Sequence, residues 1–303
     1  MNDSITNYAK IGIVHSMAFP DSIKSEELYI NTIKEILYDP FFSVVEIGQN
    51  PFDTLTYKTR DLIHLSKCDL TYSAHSRLFK KQLNANSLNE DIRQSTINEL
   101  KKAINEAYEL NAVNFQFLSG HWEDSTKDKS FEALCKTTIE ICNYAKKIGD
   151  MPICLEIFDY DIDKCSLIGK SQLAAKYCEK VRESCDNFGL MVDLSHIPMI
   201  HQSIEEHFNP IKDYIIHAHI GNTSIKNIND IAYGDNHPRF GYPNGENDVE
   251  ELAKFLSLLL SNGYLNKQAT NILSFEVKPQ IDEDPKLIIA NSKRTLLEAW
   301  RLV

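Results

Sequence analysis

Short apolar runs rich in β-branched residues alternate with longer stretches of helical periodicity along the whole 303-residue chain. Eight strand candidates stand out, at 10–16, 43–48, 69–75, 112–119, 152–158, 190–196, 214–220 and 272–278. Helical patterns fill 25–37, 88–110, 131–148, 171–188, 247–262 and 285–302. Strands separated by helices cannot pair as hairpins. They pair in parallel through crossovers, and eight such units are expected to close into one (β/α)8 TIM barrel spanning residues 1–303 as a single domain. An open doubly wound sheet is the alternative. It would usually carry a Gly-rich turn after the first strand, and "VHSMAF" has none; no dinucleotide fingerprint or P-loop occurs elsewhere.

Local signals punctuate the pattern. Ser87 lies three residues before Glu90, as in a capping box, and Asp284 precedes Pro285 at an expected first helical position. Gly149, Gly189 and Gly263 stand where helices are expected to stop. The seven cysteines never form a C-x-x-C pair, so reduced, buried thiols in a cytoplasmic protein are expected rather than a zinc ribbon or a disulfide frame. No basic region followed by an apolar run opens the chain, and no apolar stretch is long enough to span a membrane. A net charge of −11 argues against a surface built for nucleic-acid phosphates.

Barrel enzymes take their reactive groups from the C-terminal ends of the strands. Polar residues collect there in this sequence: His15, Glu46, His75, His121, Glu156, Asp193 and His196, His217 and His219, and Glu276, with His237 in the loop after the seventh strand. His64, His201 and His207 read as ordinary surface or helix histidines. A carboxylate inside an apolar run such as "CLEIF" or "LSFEV" needs a cation or a proton, because a lone buried charge costs several kcal/mol or more. Glu156, Asp193, His219 and Glu276 lie on successive strands five to eight. Three carboxylates and one imidazole suit Mn²⁺, or Mg²⁺ or Co²⁺, better than a closed structural zinc site. The bland alternatives are structural ion pairs for the acids and a hydrogen-bonded core histidine for His219. His217, one layer deeper, is expected to support or pack. Glu46 is expected to be structural, paired with a histidine of a neighbouring strand, or else to sense a substrate hydroxyl. Lys278 is either a substrate-contacting cation or a rim charge.

The segments "CLEIF", "GLMVDLSHIP", "IIHAHIGN", "HPRFGYPNGENDVEELAKFL" and "ILSFEVKP" together resemble the xylose-isomerase-like TIM barrels, which include ketose 3-epimerases and, more distantly, endonuclease IV. The first half of the chain shares only the β/α rhythm. The resemblance implies that Glu156, Asp193, His219 and Glu276 bind the metal and that Glu156 and Glu276 form the acid/base pair. It implies that His196 holds a substrate oxygen, and it places Arg239 at a basic substrate-contacting position of the loop from Gly221 to Asn247. His75, His121 and His237 are expected to contact substrate at the same rim, and Trp122, like Phe19, to wall a sugar face or simply pack.

Three functions follow. The first is an isomerase or epimerase acting on a sugar or polyol derivative, with a lyase branch. That branch includes C-glycoside-cleaving subunits, which work with a small β-rich partner chain and whose loop the "HPRFG…GEND" stretch resembles. The second is an endonuclease of the endonuclease IV type, holding three Zn²⁺ through His75, His121, Glu156, Asp193, His196, His219, Asp235, His237 and Glu276. The third is a non-catalytic barrel that binds a sugar or a protein. A homo-oligomer is compatible with any of them.

Overall fold

Val44–Ile47 shows how the sequence builds a wall between two environments: all four residues are buried, although one of them is Glu46. In the computed structural model, which describes residues 3–268 and 271–303, this strand is β2 of a closed parallel barrel. The others are β1 (Lys10–Val14), β3 (Asp69–Ser73), β4 (Asn114–Leu118), β5 (Ile153–Glu156), β6 (Phe188–Asp193), β7 (Ile215–Ile220) and β8 (Ile272–Phe275). Each pairs with its sequence neighbours, and β8 closes on β1 through Gly12 opposite Ser274. All eight expected strands are present, and the expected barrel is the fold found.

Eight main helices follow the strands: α1 (Glu26–Leu37), α2 (Thr56–Ser66), α3 (Glu90–Glu109), α4 (Lys127–Lys146), α5 (Ser171–Arg182), α6 (Ile204–Ile211), α7 (Val249–Ser261) and α8 (Pro285–Leu302). Residues on one strand face, such as Tyr72, Phe115, Phe117 and Phe275, join the apolar layer between sheet and helices. Tyr72 and Phe115 stack with centroids 5.9 Å apart. Each such ring contributes roughly 1.5–3 kcal/mol by leaving water.

Some local expectations need correction. The N-cap of α3 is Asn89, whose side chain accepts from the backbone N–H groups of Asp91 and Ile92; Ser87 instead accepts from Asn89 N. The Asx oxygen at the residue adjoining the helix wins over a serine two positions earlier. Asp284 caps α8 as expected. Gly189 ends no helix: α5 stops at Arg182 and Gly189 lies inside β6. The patterns for α2 and α6 are weak. In α2 only Thr59 and Ile63 are buried, and α6 has eight residues with Pro210 among them. His207 is a helix histidine, as one of the two readings had it, and it is buried on α6. The seven cysteines are free thiols, and no described helix is long and apolar enough to cross a membrane.

The opposite strand face fills the barrel. Glu46 on β2, Gln116 on β4 and His217 on β7 meet across its centre: Gln116 Nε2 donates to Glu46 Oε2 at 2.9 Å, and His217 Nε2 lies 2.8 Å from Glu46 Oε1. Barrel interiors usually hold layers of branched apolar side chains. A hydrogen-bonded polar layer here forms the floor of what stands above it.

Candidate metal centre

Strand register decides which polar side chains share the mouth of the barrel. Asp193 pairs with His219 across β6 and β7, and Glu156 ends β5, two residues short of Asp193 in register. Glu276 follows the last residue of β8, its N–H donating to Ile220 O. One ligand atom from each of Glu156, Asp193, His219 and Glu276 falls within 4.8 Å of the others. His219 Nδ1 is 2.7 Å from Glu276 Oε2, 3.8 Å from Asp193 Oδ2 and 4.0 Å from Glu156 Oε1. Thus Glu156 and Glu276 are close enough to share one ion.

The donor set fits a divalent cation. Glu156 Oε1 and Asp193 Oδ2 are buried and have no hydrogen-bond partner. An unsatisfied buried carboxylate oxygen costs at least ~1–3 kcal/mol, and two aimed at one point ask for a shared positive charge. Burial and the neighbouring Glu276 push the Glu156 carboxyl well up. Glu276 is also disfavoured by burial, yet His237 and His219 beside it outweigh that and hold it down at about 2.

His219 is oriented from below. Its Nε2 lies 3.0 Å from Glu46 Oε2, which leaves Nδ1 turned toward the three carboxylates. A carboxylate behind a ligating imidazole fixes its tautomer and raises its basicity. Burial opposes charge on this ring, but Glu46 and Glu276 outweigh it, so its pKa is raised well above normal. In turn, His217 and His219 overcome burial and keep the Glu46 carboxyl well below its ordinary range.

A second group adjoins the first and shares Asp193. His196, Asp193 and His237 offer ligand atoms within 4.8 Å of one another. Between the two rings stands Asp235, with Oδ1 3.0 Å from His196 Nε2 and 2.7 Å from His237 Nε2. Its other oxygen takes the Lys164 ammonium at 2.8 Å. His196 Nδ1 lies 2.9 Å from the Ile157 carbonyl. Against burial, Asp193 and Asp235 raise the His196 pKa well above normal, and Glu276 and Asp235 raise that of His237 to about 9. His237 is held at φ 45°, a left-handed conformation uncommon outside glycine, and its carbonyl accepts from Lys278 N at 2.7 Å.

His75 stands on the other side, its Nδ1 3.3 Å from Glu156 Oε2 and its Nε2 buried without a partner. Burial lowers its pKa to about 4, so the ring is neutral near pH 7. A cavity of about 280 Å³ opens over these groups and is also lined by Glu46, Gln116, Lys164 and Lys278. A larger one, about 600 Å³, lies at the opposite mouth, where Lys10 pairs with Asp69 and Lys146 with Asp186. That is the end of the barrel that serves stability.

Of the expected site residues, Glu156, Asp193, His219, Glu276, His196, His237 and His75 converge. Three do not. His121 is exposed, and its carbonyl is tied to Asn84 and Asn86 in a neighbouring cavity. Trp122 lies under the Lys127 ammonium, 4.5 Å from the ring centroid. Arg239 is bound to Glu283 and to the carbonyls of Phe240 and Gly241, so it shapes its own loop. His15 also leaves the rim set: it packs edge-on against Tyr29 and beside Thr32 of α1. Gln116 and Lys164 were not anticipated. Gln116 was visible as the amide between two phenylalanines in "NFQFL"; Lys164, in a loop, gave no signal.

A family model described as xylose isomerase-like TIM barrel matches residues 45–296. No curated protein matches the sequence. Among solved structures, a D-psicose 3-epimerase from Clostridium cellulolyticum H10, crystallised with D-tagatose, is similar at TM-score 0.70 and 16% identity, over 97% of this chain and 99% of that one. A 3-keto-D-glucoside 4-epimerase from E. coli gives 0.65 and 13%, over 97% and 98%. A family 2 AP endonuclease from Brucella melitensis gives 0.71 and 14%, over 93% and 97%. At these identities the likeness is one of fold.

Proposed function

We propose that this chain, which belongs to the xylose isomerase-like TIM-barrel family, is a divalent-metal-dependent isomerase or epimerase of a ketose or keto-sugar. The observation that carries the reading is the convergence of Glu156, Asp193, His219 and Glu276, with two buried carboxylate oxygens unpartnered. These four residues would hold the ion. Three oxygens and one nitrogen favour Mn²⁺, with Mg²⁺ or Co²⁺ as substitutes. A bound cation of this kind polarises a carbonyl and the hydroxyl next to it, which acidifies the intervening C–H.

The chain's own groups do the proton work. Glu156 and Glu276 reach the mouth from β5 and from the end of β8. In this reading one takes the proton α to the carbonyl and the other returns a proton to the opposite face or the neighbouring carbon. Both ring nitrogens of His196 are engaged, by the Ile157 carbonyl and by Asp235, so a sugar oxygen would reach this ring only by displacing Asp235, while neutral His75 can accept from a hydroxyl at its free Nε2. Loss of a substituent from the same enolate would give the lyase branch. The two epimerases similar in fold act, by their names, on sugars, which supports this class of substrate.

The test is wash-in of solvent deuterium with ketoses and 3-keto-glycosides in the presence of Mn²⁺. Glu156→Gln and Glu276→Gln should each lower exchange at least ~10²-fold, the usual weight of a positioned acid or base, while metal analysis still finds an ion bound. Undiminished exchange in both variants removes them as the proton-transfer pair.

The second group favours one other reading, a three-zinc nuclease, because His196, Asp235 and His237 meet at one point beside Asp193. Its ninth ligand, His121, stands apart, and the Lys164 ammonium already neutralises Asp235. About three Zn²⁺ per chain with cleavage of abasic DNA would establish it; about one Mn²⁺ or Mg²⁺ supports the sugar enzyme.

A further inference from the structure

The proton chemistry proposed above uses one cavity at this rim. Another, about 320 Å³, lies beside it among the loops after β3, β4 and β5. Phe79 and Lys164 line both cavities, and the Lys164 ammonium sits 5.7 Å from the Phe79 ring centroid. The two spaces are therefore parted by a pair of side chains.

We propose that this second cavity binds an apolar ring carried by the sugar, so that the substrate is a glycoside with an aromatic aglycone rather than a free ketose. The inference rests on the sugar reading of the metal centre. Its own grounds are the lining, the construction and the size. Leu78, Leu83, Ala85 and Leu118 form an apolar floor, and Phe79 is 48% exposed above it. An aromatic ring left half-exposed in a cleft offers a stacking face. Gln82, Asn84, Ser119, His121, Lys164 and Ser166 complete the lining, so the apolar floor is bordered by groups able to bind a ring's hydroxyl substituents.

The walls are fixed before any ligand arrives. Asn84 and Asn86 both donate to the His121 carbonyl, Gly120 N donates to Asn86 Oδ1 at 2.6 Å, and Thr137 Oγ1 donates to the Ala85 carbonyl at 2.8 Å. A Cβ at Gly120 would overlap the Asn84 side chain. The cavity over the carboxylates, about 280 Å³, is just below the range of ~300–1,000 Å³ found for small-molecule sites, which suits one sugar ring. A free monosaccharide would leave the adjoining apolar floor wet.

The test is calorimetric binding of methyl β-D-glucoside, phenyl β-D-glucoside and cellobiose to the Mn²⁺-loaded protein. Lacking a ketone, they report binding without turnover. The phenyl glycoside should bind about 10-fold tighter than the methyl one, the worth of burying one ring. Leu83→Trp, which fills the cavity, should bring that ratio close to one. Phe79→Ala, at an exposed position and so a mild change for folding, should also reduce it. Equal affinity of the methyl and phenyl glycosides, no binding of the phenyl glycoside, or tightest binding of cellobiose would overturn the proposal. Deuterium wash-in with the 3-keto congeners is measured in parallel. Its failure would sink the proton-transfer reading while leaving the binding ratio to judge the cavity.

Discussion

Each nitrogen of His219 faces a different carboxylate: Glu46 from below and Glu276 at the mouth. If Glu46 sets the ring's orientation, Glu46→Gln should weaken Mn²⁺ binding about 10–100-fold, the usual cost of losing such a support, although Glu46 is not among the four ligands. Competition with a chromogenic chelator checks this, and unchanged affinity would reduce Glu46 to packing. Parity along a strand separates His219 from a histidine that looks identical in the sequence. Counting by twos from Gly12, which meets Ser274 inside the barrel, puts Val14 inward and His15 outward. That count rests on the Gly12–Ser274 register, so the sequence alone left His15 among the rim candidates. Burial alone lowers the His15 pKa to about 3. Between about pH 6.5 and that value the unfolded chain binds a proton that the folded chain refuses, so stability falls as the pH falls, by up to ~1.4 kcal/mol per unit. His15→Phe should remove one proton's worth of that slope, because Thr32 keeps its bond to the Leu28 carbonyl. Urea denaturation at about pH 7.5 and about pH 5.5 measures it.

At the scale of elements, the inward aim of both β7 histidines depends on one irregularity. Leu190 pairs with Ile215 but Met191 pairs with His217, so Ile216 is an extra residue in β7. Without it, simple alternation would turn His217 and His219 toward the helices. Gly189 makes the space: a Cβ there would come within 2.6 Å of the Ile216 side chain. Gly189→Ala is therefore expected to destabilise the fold by roughly 1–3 kcal/mol, as overpacking does, and to weaken metal binding by displacing His219. Adding Ile216→Ala should restore much of both, and thermal melts with metal titrations of the single and double variants test the coupling. The sequence could not announce this bulge, because "YIIHAHI" alternates in two possible phases. The eight strands were legible, since apolar β-branched runs survive any phase error. Helices α2 and α6 were not, because α2 buries so few residues and α6 is so short. His121, Trp122 and Arg239 fall outside the carboxylate cluster for a related reason: each lies in a loop, where position along the chain does not fix direction in space.

The whole molecule concentrates like charge at one end of its barrel. Glu156, Asp193 and Glu276 crowd one buried point, with the His219 Nδ1 among them and two oxygens unpartnered. Such an arrangement opposes folding unless positive charge joins it, because buried like charges repel and desolvated oxygens go unsatisfied; His219 supplies part of that charge and a bound cation would supply more. Stability and function should then trade against each other at this mouth. A cation bound only by the folded chain adds about 2.7 kcal/mol at a hundred times its dissociation constant, which should raise the melting temperature by several degrees. A chelator should return it. Asp193→Asn is the sharper probe. The asparagine oxygen can still accept from Ser195 N, as Asp193 Oδ1 does at 2.6 Å, while one negative charge leaves the cluster. Without metal this variant should melt above the chelated wild type, and added Mn²⁺ should shift it far less. Scanning calorimetry of both proteins with and without chelator decides the matter. A chelated Asp193→Asn protein that melts below the chelated wild type would mean that Asp193 stabilises the fold by itself, and the mouth would not be strained toward a cation at all.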